Sequence, residues 1–123
     1  MTQEDKELLL KDLCARLPYG VRYKHLAWDD ERGEECIAAQ IYSINSDGYV
    51  KNCYDDETVY IDNVRPYLFP LSSITKKRLE ELSEYIDIKN AYVAVEIFNS
   101  YHIDYRGLID KNLAIDATGL NIY

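Results

Sequence analysis

The spacing of apolar residues changes once near the start of the chain, and that change constrains the fold more than any other feature. Leu10, Leu13, Cys14 and Leu17 recur at i, i+3, i+4 and i+7, with Leu9 widening the stripe, which is the pattern of a helix packed along one face. From Val21 the period falls to two. Val21, Tyr23, His25 and Ala27 lie on one side of an extended segment, and Arg22, Lys24, Leu26 and Trp28 lie on the other, as in a strand with one buried face. Pro18-Tyr19-Gly20 separates the two regimes. Thr2 is a suitable N-cap, and Asp5 places an acid where the first-turn amides are unpaired; the helix is therefore expected from about Gln3 to Arg16.

Turn residues then punctuate short extended runs. The polar stretch Asp29 to Glu35 precedes Cys36 to Ile44, which is apolar on both faces apart from Gln40 and Ser43 and reads as a central, two-sided strand. Asn45-Ser46-Asp47-Gly48 supplies the left-handed backbone of a tight hairpin, and Tyr49 to Tyr54 returns as a third strand. After the acidic turn Asp55-Asp56-Glu57, Thr58 to Ile61 gives a fourth. Strands at this spacing predict a small antiparallel sheet or, if its ends meet, an SH3-like barrel.

Asn63 to Leu71 contains two prolines that disfavour helix before them, and it reads as an apolar connector pinned to the core. A second helix is expected from about Lys76 to Tyr85, with Thr75 as N-cap and Leu79, Leu82 and Ile86 on its buried side. Asn90 can cap a third, from about Ala91 to Asp104, lined by Ala94, Ile97, Phe98, Tyr101 and Tyr105. A short turn of helix after Gly107 and an extended segment from Leu113 to Ala117 complete the reading. The fold class is α+β: an N-terminal helix, a small antiparallel sheet and two to three C-terminal helices in one domain spanning residues 1–123.

At 123 residues the chain buries roughly two thirds of its unfolded surface, enough for one modest core. Its formal charge of -8 repels phosphate backbones and anionic lipid, so direct nucleic-acid binding is disfavoured and no membrane association is expected. The one basic run, Lys76-Lys77-Arg78, is offset by Glu80, Glu81 and Glu84. Cys14, Cys36 and Cys53 lack the paired spacing of a zinc or redox motif, and an acidic start without an apolar span gives the expectation of a cytoplasmic protein with free thiols.

Three stretches carry a resemblance: Leu17 to Val21, Val64 to Ser73, and Tyr101 to Ile109. Through them the chain resembles a group of small uncharacterised proteins carried by prophages and other mobile elements of gut anaerobes, over nearly its whole length and least between Arg22 and Glu57. The resemblance implies a mobile-element setting, in which small acidic proteins act by binding a host or phage protein. It implies no activity.

Twelve tyrosines against two phenylalanines and one tryptophan supply surface that is apolar in body and polar at the tip, suited to core edges and to protein contact. Trp28, Tyr49, Tyr54 and Tyr67 are the candidate binding residues, because they fall at strand ends or in the proline-bounded connector; ordinary packing is the alternative. Chemistry has one dense candidate, Tyr101, His102, Asp104 and Arg106, beside Tyr105. There a histidine could serve as base and an arginine could hold an anion. His102 and Asp104, two apart, meet only if the helix ends between them; otherwise Asp104 and Arg106 brace the turn to Gly107. His25 reads as a hydrogen-bonded packing residue. The turns Asp29-Asp30-Glu31 and Asp55-Asp56-Glu57 read as solvated, since neither follows a calcium-loop pattern. No metal set or cofactor motif is recognised, and no phosphate loop, nucleophile elbow or HExxH sequence is present.

The expected partner is another protein. Self-association through a sheet edge, a small enzyme or ligand-binding site around His102 and Arg106, and carboxylates that imitate a phosphate backbone are the other readings.

Overall fold

The computed structural model describes residues 1–29, 33–55, 57–74 and 91–123. Helix α1 spans Gln3–Arg16 and opens with the expected capping box: Thr2 Oγ1 accepts from the Asp5 amide at 3.1 Å, and Asp5 Oδ2 accepts from the Thr2 amide at 3.3 Å. Its buried face differs from the expected stripe. Leu9, Asp12, Leu13 and Arg16 are fully buried, whereas Cys14 is exposed and Leu10 only half-buried. The inward row keeps the i, i+3, i+4, i+7 spacing but carries an acid and a base, which neutralise one another inside the fold.

Strands β1 (Arg22–Asp29), β2 (Gly33–Ile44), β3 (Tyr49–Asn52) and β4 (Thr58–Tyr60) form a curled antiparallel sheet in that order. The alternation read from Val21 holds: Val21, Tyr23, His25 and Ala27 face the core, and Leu26 points to solvent. The hairpin between β2 and β3 is set by Asn45, whose Oδ1 accepts from the amides of Asp47 at 3.0 Å and Tyr49 at 2.9 Å. Gly48 takes φ +86° there, a conformation that other residues adopt only under strain.

Strand β2 is central in pairing but not buried on both sides. Ala39 and Ile41 face the core, while Cys36 and Tyr42 are exposed. A bulge between Ile41 and Ser43 shifts the register against β3, which lets Tyr42 and Ser43 both leave the core side. Among the described residues β1 and β4 do not pair. The free side of β1 instead meets the connector, through the Lys24 amide on Arg65 O at 3.1 Å and a bridge from Tyr23 to Pro66.

A second sheet, which the sequence pattern does not predict, has three strands. Strand β5 (Tyr67–Pro70) lies between β6 (Ile103–Asp104) and β7 (Ile115–Asp116), parallel to both. The Phe69 amide donates to His102 O and the Ala117 amide to Leu68 O, each at 2.8 Å. The proline-bounded connector is thus the middle strand of a three-stranded sheet.

Helix α2 covers Ala91–Ser100 and stops short of the expected end at Asp104, because His102 turns to φ +58° and the chain enters β6. The expected helix from Lys76 to Tyr85 lies outside the described residues, so one C-terminal helix is described. The core joins both sheets to α1 through Leu9, Leu13, Val21, Tyr23, Ile41, Val50, Val64, Leu68 and Leu108. No helix among the described residues is long and apolar enough to cross a membrane.

Candidate functional sites

The cluster Tyr101, His102, Asp104 and Arg106 separates into three environments. Asp104, buried at the end of β6, accepts from the amides of Leu108 at 2.9 Å and Ile109 at 2.8 Å. It holds the turn around Gly107, and both of its oxygens are occupied. Arg106 turns to α1, where its Nη1 lies 2.8 Å from Asp12 Oδ1. The same carboxylate takes Arg16 Nε at 2.8 Å, and Arg16 also donates to Ile103 O. The Tyr105 ring lies beneath both guanidiniums, 5.3 Å from Arg16 Cζ and 4.7 Å from Arg106 Cζ, and its hydroxyl donates to buried Asn99. This network clamps α1 to the C-terminal segment. His102 is not part of it.

His102 and Tyr101 line a cavity of about 660 Å³ with Phe69, Phe98 and Tyr123. The His102 ring stacks on Tyr123, with centroids 3.7 Å apart and planes 11° from parallel. Burial, reinforced by the positive charges of Arg16 and Arg22, pushes the His102 pKa down to about 4, so the ring is neutral at pH 7. Its Nδ1 is buried without a hydrogen-bond partner among the described residues. Although 42% of Tyr123 is exposed, its hydroxyl end points inward: it donates to Tyr67 O at 2.7 Å and accepts from the Arg22 amide at 2.9 Å. Burial pushes the Tyr123 pKa up to about 12, against the lowering effect of the backbone hydrogen bond with Arg22.

The four candidate contact residues also divide. Tyr54 is 62% and Tyr49 45% exposed, whereas Tyr67 is 8% exposed in the middle of the parallel sheet. Burial raises the pKa of Tyr67, as expected for a packing residue. Trp28 has a place in β1 opposite Glu34, and its side chain lies outside the described part. Tyr42, which the strand reading had placed in a two-sided interior, is 45% exposed. Tyr42 and Tyr49 flank a shallow hollow of about 600 Å³ on the outer face of β2 to β4, floored by Ser43, Lys51 and Thr58. The Tyr49 ring rests edge-on against Tyr60 at 5.3 Å, and Lys6 of α1 lies over Tyr60 at 5.2 Å.

His25 joins residues that sequence spacing did not connect. Asn52 Oδ1 accepts from the amides of Tyr54 and Asp55, which fixes its amide so that Nδ2 donates to Tyr23 Oη at 2.9 Å. His25 Nδ1 lies 3.2 Å from Tyr23 Oη and its Nε2 lies 2.8 Å from Asp55 Oδ2, each within hydrogen-bond distance. Burial works to raise the Asp55 pKa, but hydrogen bonds with His25, the Glu57 amide and Asn52 outweigh it and leave the carboxyl below its ordinary value. Glu57 Oε2 lies 3.6 Å from the same nitrogen. The acidic turn expected to be solvated therefore folds onto a histidine thirty residues earlier. Local spacing carries no signal for it; the inward parity of His25 in β1 was the one clue.

Neither the family models, the curated proteins nor the solved structures include a match to this chain.

Proposed function

We propose that this protein is a binding module that acts by contact with another protein, and that the outer face of β2 to β4 receives the partner. The observation that carries the reading is the pair Tyr42 and Tyr49, each 45% exposed, flanking one hollow. Aromatic side chains of this kind dominate protein interfaces because they bury much area for few rotatable bonds. Tyr49 is held in place by Tyr60, so contact there orders little that is not already ordered. Tyr54, 62% exposed just after β3, offers a further aromatic contact. A net charge of -8 selects a partner with a basic face and gives an association rate that falls with salt. The split of His102, Asp104 and Arg106 into separate environments supports binding over catalysis, since no nucleophile, base and orienting group converge there.

The test compares tagged wild type with the double variant Tyr42→Ala/Tyr49→Ala, shown folded by circular dichroism, in pull-downs at two salt concentrations, followed by titration of the purified partner. Loss of a stoichiometric partner in the double variant is the expected outcome. Equal capture by both proteins overturns the reading.

The cavity beside His102 favours a second reading, a site for a small planar ligand. Its volume suits such a molecule, and Phe69, Phe98, Tyr101, His102 and Tyr123 give it aromatic walls. Chemical-shift changes confined to residues lining that cavity, in a screen of aromatic fragments, would support it. Shifts only at Tyr42 and Tyr49 would not.

A further inference from the structure

We propose that His25, Asp55 and Glu57 form a binding site for a divalent first-row transition ion of the zinc class. One ligand atom from each of the three residues lies within 4.8 Å of the other two. In a tetrahedral site with bonds of about 2.0–2.2 Å, ligand atoms stand about 3.3 Å apart. Glu57 Oε2, 3.6 Å from His25 Nε2, is close to that spacing already. Asp55 Oδ2, at 2.8 Å, needs to withdraw by only about 0.5 Å to let an ion in between.

Two of the three donors, His25 and Asp55, are held by hydrogen bonds. His25 is 5% exposed and sits in β1 opposite Ile37. Tyr23 and Asn52 hold its ring from behind, the outer support that ligating histidines use. Asp55 is pinned through its own amide to Asn52, and its Oδ1 accepts from the Glu57 amide at 3.0 Å, which leaves Oδ2 for the ion. An ion on Nε2 requires the ring proton on Nδ1, where it donates to the Tyr23 oxygen. The Tyr23 hydroxyl proton then turns away from His25.

The donor set selects the cation. One imidazole nitrogen and two carboxylates offset a dication and suit the ions from Mn2+ to Zn2+, whereas Ca2+ takes six to eight oxygens and Mg2+ keeps its water. Three protein ligands leave a coordination position open. His25 and Glu57 also line a cleft of about 710 Å³ with Lys24 and Arg65, so that position faces room for water or a small anionic ligand. Cys14, Cys36 and Cys53 lie outside the group.

The experiment titrates the full chain with Zn2+ by calorimetry and with Co2+ by visible absorption, in wild type and in a Cys14→Ser/Cys36→Ser/Cys53→Ser background. The expected result is one equivalent bound in both, a Zn2+-dependent rise in melting temperature, and affinity reduced at least about tenfold by Asp55→Asn and by Glu57→Gln. The two carboxylates are 25% and 63% exposed, and both substitutions keep the side-chain shape, so the fold is retained. Absence of saturable binding at millimolar metal overturns the site, as does unchanged affinity in Asp55→Asn and Glu57→Gln. Should the triple-serine background not fold, a thiolate-to-cobalt charge-transfer band in wild type assigns the metal to cysteine and overturns the site equally; its absence together with the two carboxylate effects supports it.

Discussion

Replacing His102 with Asn removes the imidazole of the aromatic cavity while keeping a residue tolerant of the φ of +58° found there. In the folded protein the His102 pKa falls from 6.5 to about 4, chiefly through burial and then through the charges of Arg16 and Arg22. A folded pKa below the unfolded one means that the native state prefers the neutral ring. The unfolded chain takes up a proton first as pH falls. The stability owed to the neutral ring is therefore complete above pH 6.5 and is lost as pH falls from there toward 4. Linkage at about 1.4 kcal/mol per pH unit gives a loss of about 2 kcal/mol by pH 5. Urea unfolding of wild type and His102→Asn at pH 7, 6 and 5, followed by far-ultraviolet circular dichroism, isolates that term. Asp55 and Asp116, whose carboxyls are held below their ordinary values, titrate in both proteins and cancel. At pH 7 the variant is the weaker protein, because it lacks the stack on Tyr123. By pH 5 its deficit should shrink by about 2 kcal/mol. Parallel pH profiles would show that His102 is solvated in its neutral and charged forms alike, and would refute the reasoning.

Four further substitutions probe what holds the frame. Asp12→Ala leaves Arg16 fully buried and Arg106 largely buried without their shared carboxylate, and should cost about 3–5 kcal/mol in urea unfolding; a cost under about 1 kcal/mol would mean that the guanidiniums find water or carbonyl partners. Tyr123→Phe removes one donated and one accepted hydrogen bond and should cost about 1–2 kcal/mol, with faster hydrogen exchange at the Arg22 amide as its local sign. Gly48→Ala forces a side chain to φ +86° with its Cβ 3.2 Å from Ile61 Cγ2, whereas Gly33→Ala meets the same backbone strain, at φ +79°, with nothing among the described residues within 4 Å of its Cβ. Gly33→Ala should cost about 1 kcal/mol and Gly48→Ala more; equal costs would show that Ile61 gives way.

The parts of this fold legible in the sequence are those whose cause is local. Thr2 and Asp5 satisfy each other's amides within one turn, Asn45 to Gly48 set a hairpin by their own backbone preferences, and β1 alternates because one face is wet. Helix α1 was misread by one position around its axis because Asp12 and Arg16 were counted as polar. Their i, i+4 spacing beside Leu9 and Leu13 makes them an internal pair, and that pair is what allows Arg106, ninety residues away, to join the interior. Strand β2 looks two-sided because Tyr42 counts as apolar in a pattern, yet alternation with buried Ala39 and Ile41 places it on the outer face. Strands β6 and β7, at two residues each, have no period to read. They exist because β5 offers free amides and carbonyls on both sides.

The same division between local and long-range causes holds for the polar clusters. His102, Asp104 and Arg106 are neighbours in sequence, and proximity alone suggested a shared site. A chain that leaves a helix through a left-handed residue and enters a strand sends successive side chains to different places, so neighbours there are unlike in environment: one ring in an aromatic cavity, one carboxylate on backbone amides, one guanidinium on α1. Residues that do converge, His25 with Asp55 and Glu57, are brought together by the curl of the first sheet. In this protein polar clusters are assembled by sheet curvature and by long-range pairing. The informative unit in its sequence is therefore the inward-facing polar residue of a strand or helix, since burying one demands a partner that only the fold can supply.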